Sequence, residues 1–300
     1  MGRNPRPVVV LALVCALVFT LLLLTLMRTG LPERPEPPTD ATASTVEVRP
    51  EPETDGFTLC CPNLGKADAF LLQSEAGAVL IDTGEDPDGV LELLRAQKVT
   101  TLDALVLSHF DKDHIGGAAA VLRQFDVKTL YRTAFEEDSA PYEALTEALS
   151  TSSAQVVTVT DTLTVSAAGA ELTLYPPLRD SYEKDEDNNA SLIASVEADG
   201  CALLFPGDAL KPRIREFLEE QYDGTQYQLL KVPHHGGEVK PTALLLDAFT
   251  PQLALITSST WEPESEKLTQ RLEEEGVEVL RTREGTVTLR FANGKVEKIS

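Results

Sequence analysis

The chain has 300 residues, of which 48 are Asp or Glu and 26 are Lys or Arg, so its net charge is −22 at pH 7. Hydrophobic residues make up 42% of the chain, which suffices for a sizeable core and excludes a wholly disordered protein. The acidic excess argues against a nucleic-acid binder that works through a broad basic surface. The four histidines form two groups, at 109 and 114 and at 234 and 235, unlike scattered core histidines.

The first 55 residues predict a membrane anchor followed by a stalk. After a short head at 1–7, residues 8–27 form an apolar run that, as a helix, is long enough to cross a bilayer core of about 30 Å. No A-x-A-like cleavage site follows, so we expect an uncleaved signal anchor, with a cleaved signal as the lesser alternative. Six prolines among Thr, Glu and Asp at 28–55 predict an extended linker. We therefore expect a single-pass protein of the cell membrane with residues 56–300 extracytoplasmic, or secreted if the anchor is cleaved.

Beyond the linker, short apolar strands alternate with amphipathic helices. Strands are predicted at 57–61, 69–73, 78–82, 104–108, 129–132, 155–159, 163–166, 171–175, 191–197, 202–205, 228–232, 253–257, 277–281 and 286–291. Helices are predicted at 86–97, 115–124, 141–149, 210–221, 241–248 and 263–275. Each half opens with successive strands and then alternates, which predicts an α/β fold: a four-layer αββα sandwich of two facing sheets with helices outside. The sequence does not decide whether Cys201 forms a disulfide with Cys60 or Cys61.

The strongest chemical signal is the stretch SHFDKDHIGG at 108–117, between a predicted strand and a predicted helix. It places His109, Asp111, Asp113 and His114 within six residues. A loop of this kind can gather imidazole and carboxylate donors around one point, as divalent cations require. A polar loop that contains two histidines by chance is the alternative, and it is weakened because half of the chain's histidines fall here.

Three further polar motifs follow predicted strands. KVPHHGG at 231–237 contains the other two histidines, PGD at 206–208 ends on Asp208, and IDTG at 81–84 contains Asp82. Sites in layered α/β folds are built at the carboxyl ends of strands, so these motifs predict one common site. Singly, each aspartate is a weak signal, because Asp after a strand is commonly a turn former.

Together these motifs resemble the metallo-β-lactamase superfamily of binuclear hydrolases, and within it the metallo-β-lactamase-like nuclease domain of ComEC-type competence and DNA-uptake proteins. The resemblance covers residues 57–300 and includes LGKADA at 64–69 and NNASL at 188–192. Asp111 replaces the second histidine of the broader H-x-H-x-D-H motif. Asn188 to Ser191 stand where the broader family has a further histidine, and ComEC-type domains are similar in both respects.

The resemblance implies a fold of the metallo-β-lactamase type over residues 56–300 and two divalent metal ions. An oxygen-rich ligand set shifts the preference from Zn²⁺ toward Mn²⁺ or Mg²⁺. The expected ions are Zn²⁺ or Mn²⁺, with Mg²⁺ as a further candidate. The implied ligands are His109, Asp111 and a bridging Asp208 for the first ion, and Asp113, His114, Asp208 and His234 for the second. Which of the adjacent histidines binds is open, and we favour His234, with His235 reaching the substrate.

The expected chemistry is attack of a metal-bridging hydroxide on a phosphodiester. The side chains expected to act on the substrate or to orient the ligands are Asp113, His235, Lys231 and Asp82, with Asn189 and Ser191 as substrate-binding candidates or further ligands. Lys231 or His235 would stabilise the transition state or protonate the leaving oxygen, and Asp82 would hydrogen-bond the ligand loop. A solvated lysine at a strand end and simple loop capping by Asn189 and Ser191 remain as structural alternatives.

The sequence therefore predicts a membrane-anchored, extracytoplasmic, metal-dependent hydrolase, and the resemblance favours a phosphodiesterase or DNA nuclease. The expected partners are a phosphodiester substrate, with single-stranded DNA as one candidate, and the membrane through the N-terminal helix. No basic nucleic-acid-binding surface is expected, and the oligomeric state is open. The alternatives are a hydrolase of cell-surface phosphodiesters of the teichoic-acid or phosphocholine type, a β-lactamase or lactonase, and a degenerate binding module without activity.

Overall fold

A computed structural model describes residues 56–300 of the chain. The predicted head at 1–7, the predicted anchor at 8–27 and the predicted linker at 28–55 lie outside the described residues. Between residues 56 and 300, none of the helices is both long and apolar enough to span a bilayer.

The described strands form two sheets. Sheet 1 contains β1 (Phe57–Cys61), β2 (Phe70–Ser74), β3 (Gly77–Ile81), β4 (Thr101–Leu107), β5 (Asp126–Arg132), β6 (Gln155–Thr158), β14 (Val287–Ala292) and β15 (Lys295–Lys298). Sheet 2 contains β7 (Leu163–Ala167), β8 (Ala170–Tyr175), β9 (Ile193–Ala198), β10 (Cys201–Phe205), β11 (Leu229–Lys231), β12 (Leu253–Ile256) and β13 (Glu278–Arg281). The strand orders are β15-β14-β1-β2-β3-β4-β5-β6 and β13-β12-β11-β10-β9-β8-β7.

Each sheet is antiparallel in one half and parallel in the other. Strands β3 to β6 pair in parallel in sheet 1, and β10 to β13 pair in parallel in sheet 2. The remaining pairs are antiparallel, including β2 with β3 and β9 with β10. Since parallel strands end at the same edge, each sheet gathers several carboxyl ends there, and this edge carries the candidate site.

The described helices are α1 (Pro87–Ala96), α2 (Lys112–Ile115), α3 (Ala118–Gln124), α4 (Ala140–Thr151), α5 (Glu186–Asn189), α6 (Lys211–Glu220), α7 (Val239–Ala248) and α8 (Glu266–Glu274). Two 3₁₀ turns lie at Pro233–Gly236 and Thr282–Glu284. Local sequence explains where they begin: α1, for instance, has proline at its first position and an Asp86 carboxylate that accepts from the Asp88 amide at 2.9 Å.

Apolar side chains pack between the two sheets and between each sheet and its outer helices, so the fold has four layers of secondary structure. Residues such as Leu72 and Val106 of sheet 1 pack against Leu203 and Leu255 of sheet 2. Helices α1, α3 and α4 cover the outer face of sheet 1, and α6, α7 and α8 cover that of sheet 2. The expected α/β fold of two sheets flanked by helices is therefore confirmed.

Two details differ from the sequence-based prediction, and one question that the sequence left open is answered for the described residues. The helix predicted at 115–124 is two helices, α2 and α3, because the chain passes close to a neighbouring loop at Gly116 and Gly117. A Cβ on Gly116 would lie 2.0 Å from the Glu85 carbonyl oxygen, so no larger residue fits there. Strand β15 and helix α5 were not predicted, since both are short and polar. Cys60, Cys61 and Cys201 are buried free thiols.

Candidate metal centre

Polar side chains converge where strands of both sheets end. Asp82 follows β3, the 108–114 segment follows β4, Asp208 follows β10, and the two adjacent histidines follow β11. Backbone hydrogen bonds fix these segments against one another: the Thr83 amide donates to the His114 carbonyl oxygen at 2.7 Å, and the His234 amide donates to the Gly207 carbonyl oxygen at 3.3 Å. The motifs found in the sequence thus meet at a single edge.

Four side chains form a compact ligand cluster. Asp113, His114, Asp208 and His235 each place one donor atom within 4.8 Å of the others. His235 Nε2 lies 3.1 Å from Asp208 Oδ2 and 3.2 Å from Asp113 Oδ2. His114 Nε2 lies 3.3 Å from Asp208 Oδ1. The Nε2 atoms of both histidines are buried and without a hydrogen-bond partner, which is the condition of imidazoles prepared to bind a cation.

His109 and Asp111 lie beside this cluster. His109 Nε2 is 3.4 Å from Asp111 Oδ2, and the His109 ring centroid is 4.1 Å from that of His114. His109 Nε2 is a third buried imidazole nitrogen without a hydrogen-bond partner. The two residues therefore add a second histidine–carboxylate group next to the first.

The far side of each clustered imidazole is held by an outer ring of polar groups. His114 Nδ1 lies 2.8 Å from Asp82 Oδ2, which also accepts from the Ser108 hydroxyl at 2.7 Å. His235 Nδ1 lies 2.9 Å from Thr257 Oγ1, whose hydrogen goes to Asp68 Oδ1 at 2.6 Å. Because these partners accept from Nδ1–H, they select the tautomer whose Nε2 lone pair faces the cluster, as in many metal sites. Asp82 thus contacts both Ser108 and His114 of the ligand loop.

Lys231 is a buried counter-ion, which differs from its expected role. Its ammonium is 2.5 Å from Asp68 Oδ2 and donates to Asp208 Oδ1 at 3.1 Å and to the Gly207 carbonyl oxygen at 3.0 Å. An ammonium has three hydrogens, and all three are used. Burial would lower the pKa of Lys231, but the Asp68 and Asp208 carboxylates raise it above its usual value. Lys231 is therefore the buried counter-ion of two carboxylates and not a solvated strand-end lysine.

His235, and not His234, joins the cluster. Both residues have positive φ angles, 49° for His234 and 53° for His235, so the chain turns sharply after β11 ends at Lys231. His235 is buried in the cluster, whereas His234 is half-buried, and its ring centroid lies 6.3 Å from that of His235. The structure therefore places His235 in the cluster, where the sequence-based hypothesis had placed His234. The preference for His234 assumed an extended strand end, and the left-handed turn reverses which ring points inward.

The two substrate-binding candidates have structural partners. Ser191 is fully buried, and its hydroxyl accepts from the Asp208 amide at 3.2 Å, so it positions the Asp208 turn. Asn189 donates from Nδ2 to the carbonyl oxygens of Lys184 and Asp185 at 3.1 and 2.9 Å, which is loop capping. Asn189 Oδ1 remains buried without a hydrogen-bond partner, so its lone pairs are available to bind a metal ion or to accept a hydrogen bond. The loop-capping alternative thus applies to Asn189 Nδ2, while a direct phosphate contact is not available to Ser191.

Asp68 and Thr257 are site residues without an assigned role in the sequence-based hypothesis. Asp68 lies in the LGKADA motif, but it precedes a strand, and the strand-end rule considers only residues that follow one. It reaches the same edge because β2 runs antiparallel to β3, so that Phe70 pairs with Ile81. Thr257 directly follows β12. The strand-end rule would have included it if hydroxyl groups that hydrogen-bond the ligands had been considered.

The centre has an excess of negatively charged groups. The centre contains five carboxylates, those of Asp68, Asp82, Asp111, Asp113 and Asp208, and one buried lysine, Lys231, which among them contacts only Asp68 and Asp208. Burial would raise the pKa of Asp208, but His235, Lys231 and His114 hold it well below its usual value. Burial would also raise the pKa of Asp113, but the nearby imidazoles of His235 and His114 lower it to about 2. The five carboxylates outnumber the one buried lysine, so the donor set fits divalent metal ions.

Similarity to known proteins agrees with this geometry. The profile of the metallo-beta-lactamase superfamily matches residues 62–257. Competence protein ComA of Neisseria gonorrhoeae is 31% identical over 288 residues, which cover 93% of this chain and 38% of that protein. ComE operon protein 3 of Bacillus subtilis is 26% identical over 257 residues, which cover 77% of this chain and 32% of that protein. The chain thus spans about a third of the length of these relatives.

Among solved structures, CmlA, a diiron beta-hydroxylase from Streptomyces venezuelae, superposes with a TM-score of 0.52 at 15% identity. The match covers 81% of this chain and 55% of the hydroxylase. A likeness at this level of identity shows a common fold and nothing about the reaction.

Proposed function

The chain belongs to the metallo-beta-lactamase superfamily, and on that premise we propose that it is a metal-dependent phosphodiesterase that cleaves single-stranded DNA. The family and the His/Asp cluster together support a metal-dependent hydrolase. The observation that carries the proposal is the pair of buried Nε2 atoms of His114 and His235, both without hydrogen-bond partners and both facing Asp208. The nuclease assignment rests on the competence proteins among the relatives.

Two groups of residues would hold the metal ions. Asp113, His114, Asp208 and His235 would bind one divalent cation, and His109 and Asp111 would contribute to a second, with Zn²⁺, Mn²⁺ or Mg²⁺ as candidates. When bound, such cations supply Lewis acidity that activates water and neutralises a phosphoryl oxygen.

The chain's own residues orient this centre and decide how substrate reaches it. Thr257 and Asp82 hold the two imidazoles with Nε2 inward, and Lys231 holds Asp208. The side chains of Asp111 and Asp113 are 35% and 25% exposed, whereas the other ligand side chains are nearly inaccessible. A phosphodiester would therefore approach from the side of these two carboxylates.

The proposed location of the enzyme follows from the N-terminal sequence. The apolar run at 8–27 would anchor the chain in the cell membrane, and residues 56–300 would lie outside the cytoplasm. Protease treatment of intact cells tests this arrangement, since an extracytoplasmic domain is digested and a cytoplasmic one is protected.

Metal content and substrate range test the proposed reaction. The full chain is loaded with Mn²⁺ or Zn²⁺, its metal content is measured, and a single-stranded oligonucleotide, a chromogenic phosphodiester and a β-lactam are assayed. We expect cleavage of the two phosphodiesters, and loss of more than about 100-fold in rate in Asp208→Asn and His235→Ala, since even groups behind the ligands commonly matter 10- to 100-fold. Val156→Ala, on the edge strand β6, is the matched control with unchanged activity.

Three outcomes would contradict the proposal. Hydrolysis of the β-lactam alone would favour a lactamase, and metal binding without hydrolysis would favour a degenerate binding module. Cleavage of the chromogenic phosphodiester but not of the oligonucleotide would contradict the nuclease assignment and favour other phosphodiesters as substrates, such as those of the cell surface.

A further inference from the structure

A short loop beside the metal centre displays a single aromatic side chain. The loop leaves sheet 2 after β12, at the same edge as the ligand cluster, and leads into α8. Both of its ends contact the turn that carries His235: Thr257 Oγ1 lies 2.9 Å from His235 Nδ1, and the Ser265 amide donates to the Gly236 carbonyl oxygen at 2.9 Å. The loop is therefore attached to the centre at its beginning and at its end.

The neck of this loop is closed by buried polar contacts. The Ser258 hydroxyl donates to Glu264 Oε2 at 2.7 Å, which joins the two sides of the loop. Arg281 Nε and Arg283 Nη2 donate to Glu264 Oε1 at 2.6 and 3.0 Å and connect the neck to the end of sheet 2. Ser258 and Glu264 are both buried, so the neck is a fixed part of the domain.

A second set of hydrogen bonds fixes the tip. The Ser259 amide donates to the Glu262 carbonyl oxygen at 3.2 Å, and the Glu262 amide donates to the Ser259 hydroxyl at 2.9 Å. The two residues enclosed by these bonds are Thr260 and Trp261. The Trp261 side chain is 75% exposed, the most exposed of the large hydrophobic residues that the structure describes. A tight turn of this kind holds the indole out into solvent and away from the core.

Chain length places the indole close to the metal centre. Trp261 is four residues from Thr257 and four from Ser265, and four residues of extended chain span at most about 14 Å. Since both of those residues contact the 233–237 turn, Trp261 lies within reach of an oligonucleotide whose phosphodiester occupies the ligand cluster.

The charge of the domain favours an aromatic contact in this place. Residues 57–300 carry 41 acidic and 21 basic residues, so the domain repels phosphates outside the metal centre. Base stacking does not depend on net charge, and exposed aromatic side chains supply it in proteins that bind single strands.

We propose that Trp261 stacks on a base of single-stranded nucleic acid and so positions the neighbouring phosphodiester in the metal centre. This inference rests on the proposed phosphodiesterase function and names the feature of the substrate that the enzyme recognises: an unpaired base. A duplex, whose bases are already stacked, would bind less tightly.

Tryptophan fluorescence tests the inference directly, because Trp261 is the only tryptophan of the chain. The full chain is titrated with a short oligothymidylate, with an abasic oligomer of the same length and charge, and with a duplex, using Ca²⁺ as the cation to slow hydrolysis. We expect the oligothymidylate to quench the emission and the abasic oligomer to leave it unchanged. Equal responses to the two single strands would overturn the inference.

Variants separate stacking from a general structural effect. In anisotropy titrations of a labelled oligothymidylate, Trp261→Ala should raise Kd by about 5- to 150-fold, and Trp261→Phe should raise it less. Val156→Ala, which truncates another exposed hydrophobic residue on the edge strand β6, should leave Kd unchanged. An unchanged Kd in Trp261→Ala would contradict the stacking contact.

Two further measurements distinguish this inference from its alternatives. A blue shift of the Trp261 emission with phosphatidylglycerol vesicles, without any response to the oligonucleotide, would show a membrane contact in place of a base contact. Cleavage of the oligonucleotide in Mn²⁺ without quenching in Ca²⁺ would refute stacking and leave the phosphodiesterase intact. Quenching without cleavage in Mn²⁺, Zn²⁺ or Mg²⁺ would instead refute the phosphodiesterase and leave a nucleic-acid-binding domain.

Discussion

The buried ammonium of Lys231 joins the two sheets at the metal centre. It lies on β11 of sheet 2 and contacts Asp68, which precedes β2 of sheet 1, as well as Asp208, which follows β10 of sheet 2. Because Asp68 also accepts from Thr257, the same carboxylate supports the orientation of His235. A lysine without solvent contact therefore supports the positions of two residues of the ligand cluster, Asp208 and His235.

Replacing Lys231 tests this structural role. In Lys231→Met, Asp68 and Asp208 stay buried without their counter-ion, and we expect the free energy of unfolding to fall by about 3–5 kcal/mol. The midpoint of urea unfolding of the full chain, followed by circular dichroism, measures the change. Lys128→Met is the matched control, since Lys128 pairs with Asp103 at the surface and its loss should shift the midpoint little. A Lys231→Met protein with normal stability and a reduced turnover rate would restore the catalytic role.

The loop from Thr257 to Ser265 is held by ionised groups at its neck. Burial would raise the pKa of Glu264, but hydrogen bonds from Arg283, Ser258 and Arg281 lower it to about 2. A carboxylate with a lowered pKa stabilises the folded state fully above its unfolded pKa, about 4.3 for glutamate, and the gain is lost as pH falls toward the folded value. The neck of the loop therefore weakens in acid.

The variant Glu264→Gln tests the charge of this neck. At pH 7 we expect it to be less stable than the natural chain by about 1–2 kcal/mol, a figure reduced for the partial solvent screening of the two arginines. At pH 3 the difference between the two urea midpoints should be smaller, because Glu264 of the natural chain is then almost fully protonated in the unfolded state. A difference that stays constant from pH 7 to pH 3 would show that the carboxylate charge is not what stabilises the loop.

The order of the elements and most of the site follow from sequence because they depend on local rules. Polar motifs after parallel strands meet at one edge, which is why the loop from His109 to His114 and the turn at Asp208 could be placed together. The choice between His234 and His235 could not be made, since it depends on two left-handed φ angles that neither residue type requires. Asp68 escaped notice because antiparallel pairing, which brings the start of β2 to that edge, is a tertiary feature.

At the scale of the whole molecule, negative charge and metal binding are connected. The domain has a large acidic excess, and its centre contains five carboxylates but one buried lysine, which pairs with two of them. Like charges at short range oppose folding, and a cation that binds only the folded chain reverses part of that cost. The metal ions would therefore contribute to stability as well as to catalysis.

Chelation of the metal tests this coupling. At a free concentration about 100 times its Kd, a bound cation stabilises the fold by about 2.7 kcal/mol, so treatment with EDTA should lower Tm by about 5–10 °C for a domain of this size. Differential scanning calorimetry of the full chain with and without Mn²⁺ measures the shift. The Asp208→Asn protein, which lacks a ligand, should melt at nearly the same temperature in both conditions. An equal shift in the two proteins would place the metal effect outside this centre.

The buried thiols of the domain have a consequence for the conditions that it tolerates. Burial raises the pKa of Cys60, Cys61 and Cys201, so little of the reactive thiolate is present near neutral pH. None of the three forms a disulfide, and the fold of residues 56–300 thus depends on no covalent cross-link. Oxidants and alkylating reagents should spare the folded domain, and reducing agents have nothing there to cleave. The same structure is therefore compatible with an oxidising and with a reducing environment.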